Sequence, residues 1–501
     1  MERITPGQTH PLHSVAATRA MEAVAASALP AHTLMQRAGS ATARLALALA
    51  PHARCIWIAC GGGNNGGNGL EAATRLQQAG KNVCVTWLGA PETTPPDARA
   101  AWQRAVAAGV LFDDKPPPLG ARDLCIDALL GIGLRSATPS TPPTALRALL
   151  RQLRTSPAGL LAVDLPSGLD ADTGQYAAGF APDAQESMAT APRHSLSLLT
   201  LKPGLFTAQG RDACGSLWRD DLQCGAFAPA ATAQLCGGPQ QGRSQAPHHS
   251  HKGDFGDMAV IGGEGLQARG MAMTGAAWLA ASAALHGGAG RVMVALLDDG
   301  LTLAPPWPEL MLRRLDTLDW PQLTAVCGCG GGEAVRAVLP TVLALAARLV
   351  LDADGLNAVA SDNALAQALH QRARAGQPTV LTPHPLEAAR LLHCTTAQVQ
   401  ADRLAAAQAL AERYACSVVL KGSGSIIATP GQLPRINPTG NARLATAGTG
   451  DVLAGLIGAR LAQGLPTHAA ASSAVFAHGA AADHWPSDRS LTASALAAAL
   501  Q

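Results

Sequence analysis

The sequence predicts two α/β domains in tandem. Short apolar runs alternate with alanine-rich helical stretches along nearly all of the chain, and one mid-chain stretch loses that rhythm. The length of 501 residues also exceeds what one ordinary hydrophobic core accommodates. Hydrophobic residues make up 48% against 14% charged, the balance of a chain that folds.

Residues 14–28 and 31–50 carry apolar positions at helical spacing. RCIWIAC (54–60) reads as a buried strand, followed by a Gly/Asn turn and a helix near 69–79. NVCVTWL (82–88), DLCIDALL (123–130), GLLAVDLP (159–166) and SLSLLTL (195–201) read as further strands with helices between several of them. Such alternation predicts a parallel sheet covered by helices on both faces. Residues 226–247 gather Pro, Gly, Gln and Ser without periodicity, which predicts a linker between domains at 1–225 and 248–501. The rhythm then resumes with DMAVIGG (257–263) and a long helix from about 270 to 286. Strands follow at RVMVAL, TAVCG, RLVLDAD, PTVLTP and CSVVLKG, and 448–484 reads as helical, opened by AGTGD.

Composition removes several function classes. With 37 basic and 35 acidic residues the formal charge is +2, so the chain has no electrostatic footprint for nucleic acid or an anionic membrane. Aromatics at 3% are too scarce for base-stacking platforms. Eleven cysteines, odd in number and scattered, read as reduced thiols, and Cys327 and Cys329 stand too close for zinc-ligand spacing. His248, His249 and His251 sit at the linker end, where no fixed element would hold them on a metal. MERITPGQTHPLHS has no apolar core, and no apolar run reaches membrane-span length. A soluble, cytoplasmic homo-oligomer is the expectation.

In the first half, GGGNNGGNG (61–69) joins a strand to a helix, where glycines free backbone N–H groups to face phosphate and asparagine carbonyls can ligate a cation. Asp127 leads into DALLGIGL and Asp164 into VDLPSGLDADTG. Alone, each aspartate reads equally as a cap or turn residue. At strand carboxyl ends near a switch in strand order, both would face the pocket beside the glycine turn. With LKPGL (201–205), these motifs resemble the NAD(P)H-hydrate epimerase domain over roughly residues 10–225. The resemblance implies a K⁺ ion held by Asn65, Asp127 and Ser167. It also implies hydrate contacts from Asn64, Asn65, Gly66, Gly67 and Asn68, from Gly131, Ile132, Gly133, Leu134, Arg135, Ser136 and Ala137, and from Asp164. Inversion at the hydrated ring carbon needs a proton acceptor and donor, a role that suits Asp164. The family motif ends in GGDG where this chain has Asn68, which removes a carboxylate and implies a weakened epimerase.

In the second half, ATAGTGDVLAG (445–455) opens a helix with a glycine-rich turn. Its N–H groups can bind phosphate, and Asp451 is placed to deprotonate a hydroxyl that attacks a phosphoryl group. The bland alternative is a capped helix with an acid in its first turn. LKGSGS (420–425), TPHPLE (382–387) and LDADGLN (351–357) place Lys421, His384, Glu387, Asp352 and Asp354 at further strand ends, and a shared crevice accounts for all of them. With HKGDFGDMAVIGG (251–263) and TGAAWLAASAALHGGAGRV (274–292), this set resembles the ADP-dependent NAD(P)H-hydrate dehydratase domain over nearly all of 248–500. The fold thereby implied is a Rossmann-like three-layer domain followed by a ribokinase-like α/β/α domain. Implied nucleotide contacts are Lys421, Gly422, Ser423, Gly424, Ser425 and Gly450, and implied hydrate contacts are Ala276, Gly330, His384 and Asp451. Asp451 and Asp164 are the implied catalytic residues, with ADP as co-substrate and Mg²⁺ and K⁺ as cofactors. CGCGGG (327–332) replaces the family's GPGLG, and Leu386 stands where TPHPGE has Gly.

The activity so implied is repair of hydrated NADH and NADPH. One domain epimerises the R and S hydrates, and the other dehydrates the S form with ADP, giving AMP and phosphate. A small-molecule kinase of the ribokinase-like superfamily with a non-catalytic first domain is the alternative, and an RNA-scaffold role for the first half is a third reading.

Overall fold

The central strand of the first sheet shows how its layers arise. In Ile56–Cys60 the residues Ile56, Ile58 and Cys60 point into one apolar cluster, while Trp57 and Ala59 point into another. A strand buried on both faces reads as an unbroken apolar run, as IWIAC does. The computed structural model describes all residues except 135–141, 184, 185, 187–190, 226–229, 239–246, 298–304 and 501, with the side chains of 267 and 268 also outside the description.

Two units emerge, Met1–Thr5 with His10–Ala233, and Pro6–Thr9 with Gln234–Gln501. The first holds strands β1 (Glu2–Arg3), β2 (Ile56–Cys60), β3 (Val83–Trp87), β4 (Leu111–Phe112), β5 (Leu124–Ala128), β6 (Gly159–Val163), β7 (Arg193–Leu198) and β8 (Ser216–Asp220). Their order is β1-β8-β7-β6-β5-β2-β3-β4, all pairs being parallel except β1 with β8. The strand order reverses between β2 and β5, so the crevice at their carboxyl ends is the expected ligand site.

The helix after β2 spans Asn64–Gln78, and this corrects the reading of the glycine motif as a turn before a helix near 69. NNGGNG forms the first turns of that helix. Glycine is a poor helix former, and packing explains it here. A Cβ on Gly66 would lie 1.8 Å from the Gly61 carbonyl oxygen, and one on Gly69 would lie 2.6 Å from Ala128 Cβ. The glycines let the helix approach the sheet.

In the second unit the strands are β9 (Ala233–Leu235), β10 (Asp257–Gly262), β11 (Arg291–Leu296), β12 (Met311–Leu312), β13 (Leu323–Cys327), β14 (Arg348–Leu351), β15 (Thr379–Leu381), β16 (Ser417–Leu420), β17 (Ile426–Ala428) and β18 (Arg435–Ile436). They run β12-β11-β10-β13-β14-β15-β16-β17-β18-β9, parallel from β12 to β16. Met258, Val260, Val326 and Val350 face the helices Thr274–His286 and Thr449–Ala462, Val380 and Val419 lie in the same cluster beside the helix Thr467–Asp483, and Ala259, Ala325, Leu349 and Val418 are buried on the opposite face. Three layers result, α/β/α. The stretch 226–247 is not wholly a linker, because Ala233–Leu235 forms β9 against β18. Three residues are too few to show a period of two, which is why composition concealed the strand. The region 448–484 divides into Thr449–Ala462 and Thr467–Asp483, broken by Gly464 at φ +87° ahead of Pro466. All eleven cysteines are free, nine of them buried. Among the described residues no helix is long and apolar enough to cross a membrane.

Candidate functional site

The first unit carries a cavity of about 860 Å³ at the β2/β5 switch point. Asn64, Asn65, Asn68, Gly131–Leu134 and Asp164 line it, as the motifs predict. Gly66 and Gly67 do not, because Gly66 packs on the Gly61 backbone just past β2 and Gly67 on Met35 and Ala98. Arg135, Ser136 and Ala137 lie outside the described residues.

Asp164 follows β6 at φ +71°, a left-handed conformation that costs a residue other than glycine roughly 1–3 kcal/mol and clusters at functional sites. That turn carries its carboxylate into the cavity. There Oδ1 accepts from Lys202 Nζ at 2.5 Å and from the Leu198 N–H at 3.2 Å. Lys202 is fully buried, and its Nζ also donates to Ser197 Oγ and the Leu198 carbonyl. LKPGL supplied this lysine, yet a residue just past an apolar run carried no sign in sequence of being buried.

Asp127 does not line the cavity. It lies inside β5, one residue before the strand's end and beneath the cavity floor, 4% exposed, where it accepts from Ser167 Oγ at 2.6 Å, Ser167 N–H at 2.9 Å and Leu129 N–H at 3.2 Å. Burial pushes its carboxyl above the usual range, against the lowering effect of the Ser167 bonds. Beside it, Asn65 Nδ2 donates to the Leu130 and Val163 carbonyls, and that orientation leaves Asn65 Oδ1 buried without a hydrogen-bond partner. An orphaned carbonyl oxygen and a buried carboxylate are a donor set suited to a hard cation.

In the second unit the crevice lies past the carboxyl ends of β13 to β16. Asp352 follows β14, His384 follows β15 and Lys421 follows β16, and parallel pairing sets these strands side by side. Lys421 Nζ donates to Asp352 Oδ1 at 2.7 Å and lies 4.0 Å from Glu387 Oε2. Burial works against its charge, but Asp352 and Glu387 hold Lys421 above the usual lysine range. Lys421 is therefore turned into the crevice rather than solvated. Gly450 faces it, since a Cβ there would lie 3.5 Å from Lys421 Nζ.

Asp451 stands in the first turn of Thr449–Ala462, whose N-cap Gly448 takes φ +90°. A carboxylate oxygen of Asp451, one of Asp352 and Cys329 Sγ lie within 4.8 Å of one another. Burial first, and the Asp352 charge second, push Asp451 up to about 7, with Cys329 and Lys421 opposing. Glu387 is likewise pushed up to about 7, chiefly by burial. His384 caps Pro385–Leu392, accepting at Nδ1 from the N–H of Leu386 and Glu387 while Nε2 lies 3.2 Å from Glu387 Oε1. Gly330, at φ +58°, packs against Ala276. The 422–425 turn is anchored by the buried Arg403, which donates to the carbonyls of Leu420 and Lys421. Gly422 and Gly424 take φ +135° and +62°, and Ser425 Oγ donates to the Gly422 carbonyl.

Each unit thus places a lysine–aspartate pair at strand ends. One pair opens on a cavity of nucleotide size and the other lies beside a glycine-opened helix. Together they define a two-site α/β enzyme that handles nucleotides. Residues 258–501 match the family described as NAD(P)H-hydrate dehydratase, and residues 31–204 match the YjeF-related protein N-terminus. The chain is 34% identical over 485 residues to the bifunctional NAD(P)H-hydrate repair enzyme Nnr of Escherichia coli (strain K12), covering 92% of this chain and 87% of that protein. It is 44% identical over 242 residues to the ADP-dependent (S)-NAD(P)H-hydrate dehydratase of Neisseria meningitidis serogroup B, covering 47% and 78%. A solved ADP/ATP-dependent NAD(P)H-hydrate dehydratase from Bacillus subtilis, co-crystallised with ATP and Mg²⁺, aligns with TM-score 0.44 at 30% identity over 51% of this chain and 91% of that one. The chain belongs to the family of bifunctional NAD(P)H-hydrate repair enzymes.

Proposed function

We propose that this chain restores hydrated NADH and NADPH in two steps. The first unit interconverts the R and S hydrates, and the second dehydrates the S form with ADP, releasing AMP and phosphate. The observation that carries the dehydratase reading is the half-buried Asp451, held near neutral pKa in the first turn of a glycine-opened helix.

Hydroxide is a poor leaving group from the hydrated ring. Asp451 accepts the hydroxyl proton as that oxygen attacks the donor's terminal phosphoryl group. Backbone N–H groups at the start of Thr449–Ala462 receive the developing phosphoryl charge. The ring nitrogen lone pair then expels phosphate to leave an iminium, and loss of a proton from the neighbouring ring carbon, taken up by the departing phosphate, restores the dihydropyridine. Lys421, Gly422, Ser423, Gly424, Ser425 and Gly450 form the nucleotide's side of the crevice, and Ala276, Gly330 and His384 the hydrate's side.

The Cys329, Asp352 and Asp451 cluster does not suit Mg²⁺, because a thiol is a soft ligand and Lys421 already holds Asp352. In the first unit Asn65, Asp127 and Ser167 would hold K⁺, and the orphaned Asn65 Oδ1 supports that assignment. When bound, K⁺ supplies a fixed positive charge under the cavity floor.

The test is a single turnover of purified S-hydrate with ADP. Equal yields of reduced nucleotide, AMP and phosphate are expected. A phosphorylated product that persists would identify a small-molecule kinase instead.

A further inference from the structure

The first site is expected to invert a carbon that bears a hydroxyl next to the ring nitrogen, and such an inversion moves two protons. Asp164 is one group in reach, and its Oδ1 is held by the buried Lys202. The same cavity is lined by two further carboxyls that no motif singled out, Asp97, which lies 2.5 Å from His32 Nδ1, and Glu22 on the helix Val15–Ser27. We propose that Glu22 is the second proton-transfer group of the first site, acting on the ring nitrogen while Asp164 serves the hydroxyl. This rests on the epimerase reading of that site.

Of the three carboxyls that line this cavity, Asp164 and Asp97 are paired and Glu22 is not. Asp164 has an ion pair at 2.5 Å. Among the described residues, nothing forms a hydrogen bond or ion pair with the Glu22 carboxyl. Burial, and next the Asp164 charge, push Glu22 above the usual range, against Lys202 and Arg19. The other charged groups near it are Asp97, which raises it, and His32, itself 2.5 Å from Asp97. A carboxylate held by an ammonium and a carboxyl without a partner, lining one cavity, suit opposite proton-transfer roles.

The step balances without a co-reactant. Asp164 takes the hydroxyl proton, a carbonyl forms, and the bond from that carbon to the ring nitrogen breaks. The electron pair goes to the nitrogen, which takes a proton from Glu22. Rotation about the adjoining carbon–carbon bond presents the other carbonyl face. The nitrogen then attacks that face, Glu22 recovers its proton, and Asp164 returns the other to oxygen.

The experiment uses the full chain with ADP, Mg²⁺, K⁺ and an equal mixture of NADPH-hydrate epimers, following reduced-nicotinamide absorbance. The S form disappears in a fast phase and the R form in a slower one set by epimerisation. Glu22→Gln is expected to slow the second phase by about 100-fold or more and leave the first unchanged. It should also remove the fall of the slow phase at high pH, which a merely structural residue would not control. Glu22→Asp should restore part of the rate. A slow phase in Glu22→Gln within about 3-fold of the parent would overturn the proposal, as would a retained high-pH limb or no gain from Glu22→Asp. A parent that stalls at half recovery overturns the epimerase reading itself, a different outcome.

Discussion

Replacing Asp352 by asparagine should shift the acidic limb of dehydration to lower pH. In the parent an Asp352 oxygen lies within 4.8 Å of one on Asp451, and its charge is the second cause, after burial, that lifts Asp451 to about 7. Two unit charges at that separation repel by about 3.5 kcal/mol at an effective dielectric near 20, equivalent to about 2.5 pKa units. Lys421 partly neutralises Asp352 and solvent reaches the half-buried Asp451, so the realised shift is about 1 to 2 units. The substitution would also free Lys421, whose charge favours ionised Asp451, so both effects act in one direction. The assay is kcat/KM for the S-hydrate across about pH 5 to 9, because that parameter reports the free enzyme. The parent should lose activity below about pH 7, where Asp451 becomes protonated, and the variant below about pH 5 to 6. A limb that stays in place would refute the assignment of Asp451 as the base. Lys421→Met provides the opposite sign, moving the limb upward.

Asp451→Asn should cut kcat for dehydration by about 10²- to 10⁴-fold with little change in the affinity for ADP, measured by steady-state kinetics and calorimetric titration. Asn68→Asp should speed the slow epimerisation phase, and an already rapid parent would sink the idea that the amide limits it. Exchanging K⁺ for tetramethylammonium, too bulky for the space around Asn65 Oδ1, should slow epimerisation and spare dehydration. Burial pushes His478 and His468 down to about 4, so both are neutral in the fold and must charge on unfolding in acid. Stability is then complete above the ordinary histidine pKa near 6.5 and falls toward pH 4, by about 3 kcal/mol for each; urea unfolding followed against pH checks this.

Much of this molecule was legible in its sequence because the signals were local. IWIAC, LCIDA and GLLAV are apolar runs that can only be strands buried on two faces, and each ends in the turn that carries a polar group. AGTGD, Lys421, Asp352 and His384 are all strand-end or helix-start residues, and parallel strand order alone brings them together. What sequence hid depends on distant packing. The glycines of NNGGNG read as a turn, since nothing nearby shows that Gly61 and Ala128 press on them. Asp127 read as a pocket residue, although its position inside β5 puts it under the floor with Ser167. Glu22 is a lone acid on an alanine-rich helix, indistinguishable in sequence from a solvated face. Lys202 and Arg403 look like surface cations, and only the fold shows them buried against carbonyl groups.

On this reading one chain holds two repair sites that act in sequence. The most direct measurement is the total recovery of NADPH from an equal mixture of its hydrate epimers, with ADP, Mg²⁺ and K⁺ in excess. Full recovery, in a fast phase and then a slower one, is the predicted result. Recovery that stops at half would contradict the role given to the first unit, and no recovery would contradict the account as a whole.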